Sequence, residues 1–107
     1  MSVQFKNNSF TTLAVTIDEL ATSITVATGT GANLPVLGVG EYFYATLSDI
    51  AGAMEIVKVT AVVGDVLTVV RGQESTTAVP FLEGSLIENR FTAKTLRDIA
   101  DLDYLLL

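Results

Sequence analysis

The chain contains no histidine, no cysteine and no tryptophan among its 107 residues. Without histidine it cannot build a Ser-His-Asp triad, an imidazole base or a histidine-ligated zinc site. Without cysteine it has no disulfide, thiol nucleophile, thiolate ligand or iron–sulfur cluster. These absences exclude several common classes of active site, and we expect no enzyme activity, no catalytic residues, no cofactor and no metal.

Positive charge is also scarce. Six lysines and arginines stand against twelve aspartates and glutamates, which gives a formal net charge of −6. The cations are scattered rather than gathered into a stripe that could neutralise phosphates, so we expect no nucleic-acid partner. The longest apolar runs fall far short of the roughly 18–20 residues of a membrane-spanning helix, and the first residues lack the pattern of a signal peptide. We therefore expect no membrane partner and a product that is made and kept in the cytoplasm, or released by lysis.

What the chain has in abundance is apolar side chains. Half of its residues are hydrophobic, only 17% are charged, and the mean hydropathy is +0.52. This composition is far from that of a disordered chain, and the length suits a single domain. So much apolar surface predicts a chain that buries side chains in an assembly as well as in its own core.

Apolar residues alternate with polar ones along much of the sequence. In residues 10–17, Leu13, Val15 and Ile17 share one face, and residues 23–27 repeat this alternation with Ile24 and Val26 facing inward. A period of two is typical of half-buried β-strands. Further strands are predicted over residues 41–47, 54–62, 66–71 and 86–91.

Glycines divide these strands. The β-branched runs 54–62 and 66–71 flank Gly64-Asp65, which predicts a β-hairpin. Residues 29–35 and 38–40 are glycine-rich, but neither segment completes a nucleotide-binding motif, so we interpret both as turns. Short strands without intervening helices predict a mainly β fold, a small antiparallel β-barrel or sandwich over residues 1–91.

The spacing changes to that of a helix at Thr92, a plausible N-cap. Residues 92–107 are predicted to form a C-terminal α-helix with an apolar tail that docks on a partner, because a lone helix of this length is marginal in water. Its aspartates could bind a cation, but a solvated face or a partner contact is favoured. The predicted contact residues are Leu96, Ile99, Leu102, Tyr104 and Leu106, and the aspartates are Asp98, Asp101 and Asp103.

Other polar and aromatic side chains could also serve a site. Arg71 and Glu74 could form a bidentate pair that fixes their loop or reaches a neighbouring subunit, and we predict them as a second contact surface. Tyr42 and Tyr44 could stack on sugars, although packing is the commoner use of such a strand. No spacing pairs the glutamates for glycosidase chemistry, so we interpret them as strand-surface charge. They are Glu41, Glu55, Glu74 and Glu88.

Residues 55–61 and 64–78 resemble a module of tailed bacteriophages. It is found in small β-rich virion structural proteins and in the N-terminal, virion-proximal regions of tail fibre proteins. The most specific part is the loop from Arg71 to Ala78, RGQESTTA, in which Ser75 replaces a commoner glycine. The segments 3–8, 12–14, 21–26 and 42–47 are also similar.

This resemblance implies a virion structural protein with no enzyme activity and no cofactor. Its partners would be other virion proteins and copies of itself, arranged as a homo-oligomer by the symmetry of the particle. The implied place is the tail or neck, as a fibre-attachment or collar-type component. A capsid decoration or cement protein and a carbohydrate- or receptor-binding module are the alternatives.

Overall fold

The structure, a computed structural model, describes residues 3–6, 9–90 and 95–99. In these residues the fold is mainly β, with six strands in one antiparallel sheet of order β1-β6-β3-β4-β5-β2 and a short C-terminal helix. The predicted fold class is confirmed. The strands are β1 (Phe10–Thr12), β2 (Ser23–Thr25), β3 (Phe43–Ser48), β4 (Met54–Val63), β5 (Val66–Gln73) and β6 (Leu86–Glu88).

The β4–β5 hairpin is the longest pairing of the sheet, and it confirms the strands predicted around Gly64. Val59 pairs with Val69 in its middle, and Val63 pairs with Val66 at the turn. The register shifts twice along β4, between Ile56 and Lys58 and again after Val59. Such irregularities increase the local twist and bend a strand, which helps the sheet to curl.

The two edge strands of the sheet meet where it curls around. An antiparallel bridge joins Leu13 to Val26, just beyond β1 and β2. The Ala14 N–H donates to the Thr25 carbonyl at 2.9 Å, and the Ala27 N–H donates to the Thr12 carbonyl at 3.0 Å. Backbone groups that an open sheet would leave unpaired are therefore bonded here.

Inward-facing side chains fill the curled sheet. Phe43 and Phe81 are the largest fully buried residues, and Leu34 closes one end beside the β4–β5 turn. The predicted inward residues Ile24 and Val26 are confirmed. The remaining core residues are Leu13, Ile17, Ala45, Leu47, Val57, Val59, Leu67, Val69 and Ile87.

The predicted strand over residues 10–17 is too long. β1 ends at Thr12, and the chain bends at residues 14 and 15. Leu13 and Ile17 are buried as predicted, but Val15 is 55% exposed because the bend turns it away from the core. The other strands also shift at their ends: β2 stops at Thr25, β3 covers residues 43–48 rather than 41–47, and β6 stops at Glu88. β4 extends to Val63 and β5 extends to Gln73.

The glycine-rich loop contains a short 3-10 helix, Thr30–Asn33, that packs on the β4–β5 turn. A Cβ atom at Gly31 would lie 1.9 Å from the Gly64 carbonyl oxygen, so only glycine fits this close approach. The Asp65 carboxylate accepts hydrogen bonds from the Gly29 and Gly31 N–H groups, both at 3.0 Å. These two bonds lower the pKa of Asp65, and the hairpin turn is held on the 3-10 helix.

Of the predicted C-terminal helix, residues 95–99 are described and are helical. Thr95 is fully buried, so this turn packs on the rest of the fold. Within the described ranges, no helix has the length and apolar character needed to cross a membrane. The predicted cap Thr92, the contact residues Leu102, Tyr104 and Leu106, and the aspartates Asp101 and Asp103 lie outside the described residues.

Candidate functional site

A buried ion pair fixes the loop from Arg71 to Ala78. Arg71 Nε donates to one carboxylate oxygen of Glu55 and its Nη2 donates to the other, both at 2.8 Å. The two side chains are 7% and 0% exposed. A bidentate pair of this kind is geometrically specific, and burial removes the screening that weakens surface pairs.

The remaining hydrogen-bonding capacity of both groups is used by backbone. The Gly72 and Val79 N–H groups donate to the Glu55 carboxylate at 2.9 and 3.0 Å. Arg71 donates to the carbonyls of Asp18, Ala21 and Val79 at 2.7, 3.1 and 2.7 Å. The pair therefore ties three separate segments to the start of β4, and neither charge is left uncompensated.

The pKa of the Glu55 carboxyl reflects this environment. Burial alone would raise its pKa, but the hydrogen bonds from Arg71, Gly72 and Val79 outweigh burial, and the net pKa is lowered. The carboxylate is therefore the favoured form, and the site is a charged structural clamp rather than a protonated acid.

The predicted bidentate arginine–carboxylate pair exists, but its predicted partner, Glu74, is wrong. Arg71 binds Glu55 and not Glu74, and Glu55 is wholly buried rather than part of a charged strand surface. A signal was present: Glu55 alternates in phase with the buried Val57 and Val59. A carboxylate on the inward face requires a buried cation, and Arg71 occupies the corresponding inward position on β5.

The loop after Arg71 is ordered by its own hydrogen bonds as well. The Thr76 hydroxyl donates to the Gln73 carbonyl at 2.6 Å and accepts from the Ile56 N–H at 3.0 Å. Glu74 and Ser75 adopt positive φ angles of 51° and 66°. The loop thus has a fixed backbone, and the Arg71 guanidinium is occupied inside the chain.

The C-terminal helix contacts Tyr44 of β3, and Tyr42 just before this strand, through a carboxylate. Asp98 Oδ2 accepts hydrogen bonds from the Tyr42 hydroxyl at 2.5 Å and from the Tyr44 hydroxyl at 3.3 Å. The two rings meet edge to face, and Lys58 Nζ lies 4.4 Å from the centre of the Tyr42 ring. Tyr44 is 2% exposed, so it offers no free face on which a sugar could stack.

Two of the predicted contact residues lie on this helical turn. Leu96 is 55% exposed, and Ile99 is partly buried. In the described residues, no group of three or more acidic side chains is arranged to bind a metal ion. Asp98 accepts hydrogen bonds from Tyr42 and Tyr44.

A groove between two turns was not predicted from the sequence. It has a volume of about 420 Å³ and lies between residues 48–51, after β3, and residues 82–86, at the start of β6. Ile50 is fully exposed beside it, and Leu82 is 72% exposed. A large aliphatic residue at the tip of a turn is the one signal in the sequence that could have marked it.

These features define a small barrel-like β domain with a loop clamped by a buried ion pair. No protein-family model matches the chain, and no curated protein matches it significantly.

Proposed function

We propose that this chain is a non-enzymatic structural protein of a tailed-bacteriophage virion, assembled at the tail or neck through protein–protein contacts. The observation that carries the proposal is the set of large aliphatic side chains held in solvent on ordered turns. Ile50 and Val39 are fully exposed, and Leu82 and Val63 are largely exposed. Burying one such side chain stabilises an assembly by about 1.5–3 kcal/mol.

The backbone that carries these side chains is held by hydrogen bonds. Asp49 caps the turn below Ile50 by accepting from the Ala51 and Ala53 N–H groups at 3.0 and 2.9 Å. A surface that is already ordered loses less conformational entropy when it binds, which favours stable protein–protein contacts. The clamped loop from Arg71 to Ala78, where the phage resemblance is most specific, has the same property.

The direct test is the content of the particle. Phage particles purified from the strain that carries the gene are washed in high salt, and their proteins are quantified by mass spectrometry. We expect this chain in a fixed copy number per particle that survives the wash. Its absence from purified particles would refute the proposal.

Antibody labelling in the electron microscope distinguishes the location. Gold particles at the neck or tail support the proposed place, whereas label spread over the capsid would replace it with the decoration-protein alternative.

A variant tests the predicted contact through the helix. Leu96→Ser should lower incorporation and leave the melting temperature unchanged, because this side chain is already 55% exposed. Leu20→Ser, at an exposed position in another turn, is the matched control. Equal incorporation of both variants would remove Leu96 from the contact surface.

A further inference from the structure

The groove between the two turns is lined by aliphatic and acidic residues. Ile50, Leu82 and Leu86 supply aliphatic surface, and Asp49 and Glu83 supply carboxylates. No lysine or arginine is among the residues that line it in the described part of the chain. From this combination we infer that the groove docks a short segment of another protein in which aliphatic side chains alternate with lysine or arginine.

The groove is formed before any partner arrives. The Gly84 N–H donates to the Leu13 carbonyl at 2.8 Å, and the Glu83 N–H donates to the Thr16 hydroxyl at 3.0 Å. The Ser85 hydroxyl donates to the Leu82 carbonyl at 2.7 Å. Together with the Asp49 cap, these bonds hold both walls, so binding requires little rearrangement of the backbone.

Charge selects the occupant. The lining carries two carboxylates, and the whole chain has a net charge of −6, so an acidic segment is repelled both locally and at long range. A basic segment is attracted both by the two lining carboxylates and by the net negative charge of the chain. Aliphatic side chains on that segment would cover Ile50 and Leu82, which water now surrounds.

The same argument disfavours two occupants from this chain. A second copy would bring a like net charge to the groove. The apolar end of the sequence is also unsuitable, because residues 98–107 contain three aspartates and no cation. The groove therefore fits a different protein, and this inference rests on the groove alone, whichever particle the chain belongs to.

The test uses the full chain, labelled with ¹⁵N, and two capped peptides that differ only in charge. The first is Gly-Leu-Lys-Leu-Lys-Gly, and the second is Gly-Leu-Glu-Leu-Glu-Gly. We expect the lysine peptide to shift the amide signals of residues 48–51 and 82–86 in a saturable manner, and the glutamate peptide to leave them unchanged.

Variants separate the contribution of the aliphatic contacts from that of the carboxylate charge. Ile50→Ser with Leu82→Ser should weaken the lysine peptide at least about tenfold, since two aliphatic contacts are lost. Glu83→Lys should weaken it about threefold, because a charge at the rim of a site is partly screened. Asp49 is left intact because it caps its turn. Leu20→Ser, which changes an exposed leucine outside the groove lining, is the matched control and should bind as the parent does.

Three results would overturn the inference. One is equal binding of the two peptides. Another is the absence of shifts in the groove at millimolar lysine peptide. The third is a set of groove shifts that depend on protein concentration without peptide, which would assign the groove to a second copy. None of these results bears on the presence of the chain in purified particles.

Discussion

Arg71 and Glu55 lie 16 residues apart in the sequence and meet through two hydrogen bonds of 2.8 Å at one end of the curled sheet. Each group also satisfies its remaining donors or acceptors with backbone of the surrounding loops. A buried pair completed in this way is tolerated as a unit, whereas either partner alone would be an uncompensated charge in the interior.

Removing the cation should therefore be costly. We expect Arg71→Met to lower the free energy of unfolding by about 3–5 kcal/mol, as measured by urea denaturation, because Glu55 stays buried without its partner. The matched control is Arg90→Met, which breaks the exposed pair with Glu88 at 3.1 Å and should cost less than about 1 kcal/mol. Equal losses in the two variants would contradict the assigned role of the buried pair.

The same pair predicts a dependence on acid. The pKa of Glu55 is lowered from its usual 4.5, so over this range the unfolded chain binds more protons than the folded one. The contribution of Glu55 to the free energy of unfolding is therefore fully present above about pH 4.5. It is lost as the pH falls through the lower pKa that Glu55 has in the folded chain. Urea midpoints measured on either side of pH 4.5 should show this loss. The double variant Glu55→Gln with Arg71→Met should show less of it, and an unchanged acid dependence would contradict the prediction.

Local pattern was enough to predict the strands but not the contacts between distant segments. The β4–β5 hairpin follows from two β-branched runs around Gly64, and the burial of Ile24 and Val26 follows from alternation. The bend that exposes Val15 depends instead on where β1 leaves one neighbour for another. The alternation within residues 10–17 does not indicate where the pairing partner changes.

The candidate site shows the same division. The sequence marked Arg71 as the cation of a bidentate pair but did not show which of six glutamates binds it, and the pairing of β4 with β5 places Glu55 beside it. The groove depends on two turns, around Ile50 and Leu82, that the pairing of β3 with β6 brings side by side. Their proximity is a property of strand order, which short-range patterns do not contain.

The loop from Arg71 to Ala78 offers a prediction about backbone strain. Ser75 has a φ of 66°, in the left-handed region that costs an L-residue about 1–2 kcal/mol. Glycine avoids this cost but loses more entropy on folding, so Ser75→Gly should raise the free energy of unfolding by up to about 1 kcal/mol. Thermal denaturation measures the change.

Replacing a glycine of the same loop by alanine is the control for Ser75→Gly. Gly72 has a φ of 62°, and an added Cβ would lie 3.3 Å from the Thr76 carbonyl oxygen. Gly72→Ala should therefore lower the free energy of unfolding by about 1–2 kcal/mol. A stabilised Gly72→Ala or a destabilised Ser75→Gly would contradict the backbone geometry of the loop.

The contact between the C-terminal helix and β3 predicts a loss of stability in alkali. Burial, followed by the charge and hydrogen bond of Asp98, raises the pKa of Tyr44 from 10.0 to about 12, and the pKa of Tyr42 is raised for similar reasons. Above pH 10 the unfolded chain loses these protons first, so stability falls as the pH rises from about 10 to about 12. Each tyrosine adds a slope of up to about 1.4 kcal/mol per pH unit.

Ultraviolet absorbance of tyrosinate, recorded during a pH titration, measures the raised pKa values of the tyrosines directly. Asp98→Asn removes the carboxylate charge and should bring the tyrosine titration to lower pH. Glu83→Gln removes an exposed carboxylate of the groove, where it lines a different surface from the tyrosines, and should leave the titration unchanged. If Asp98→Asn titrates as the parent does, Asp98 does not hold the helix to Tyr42 and Tyr44.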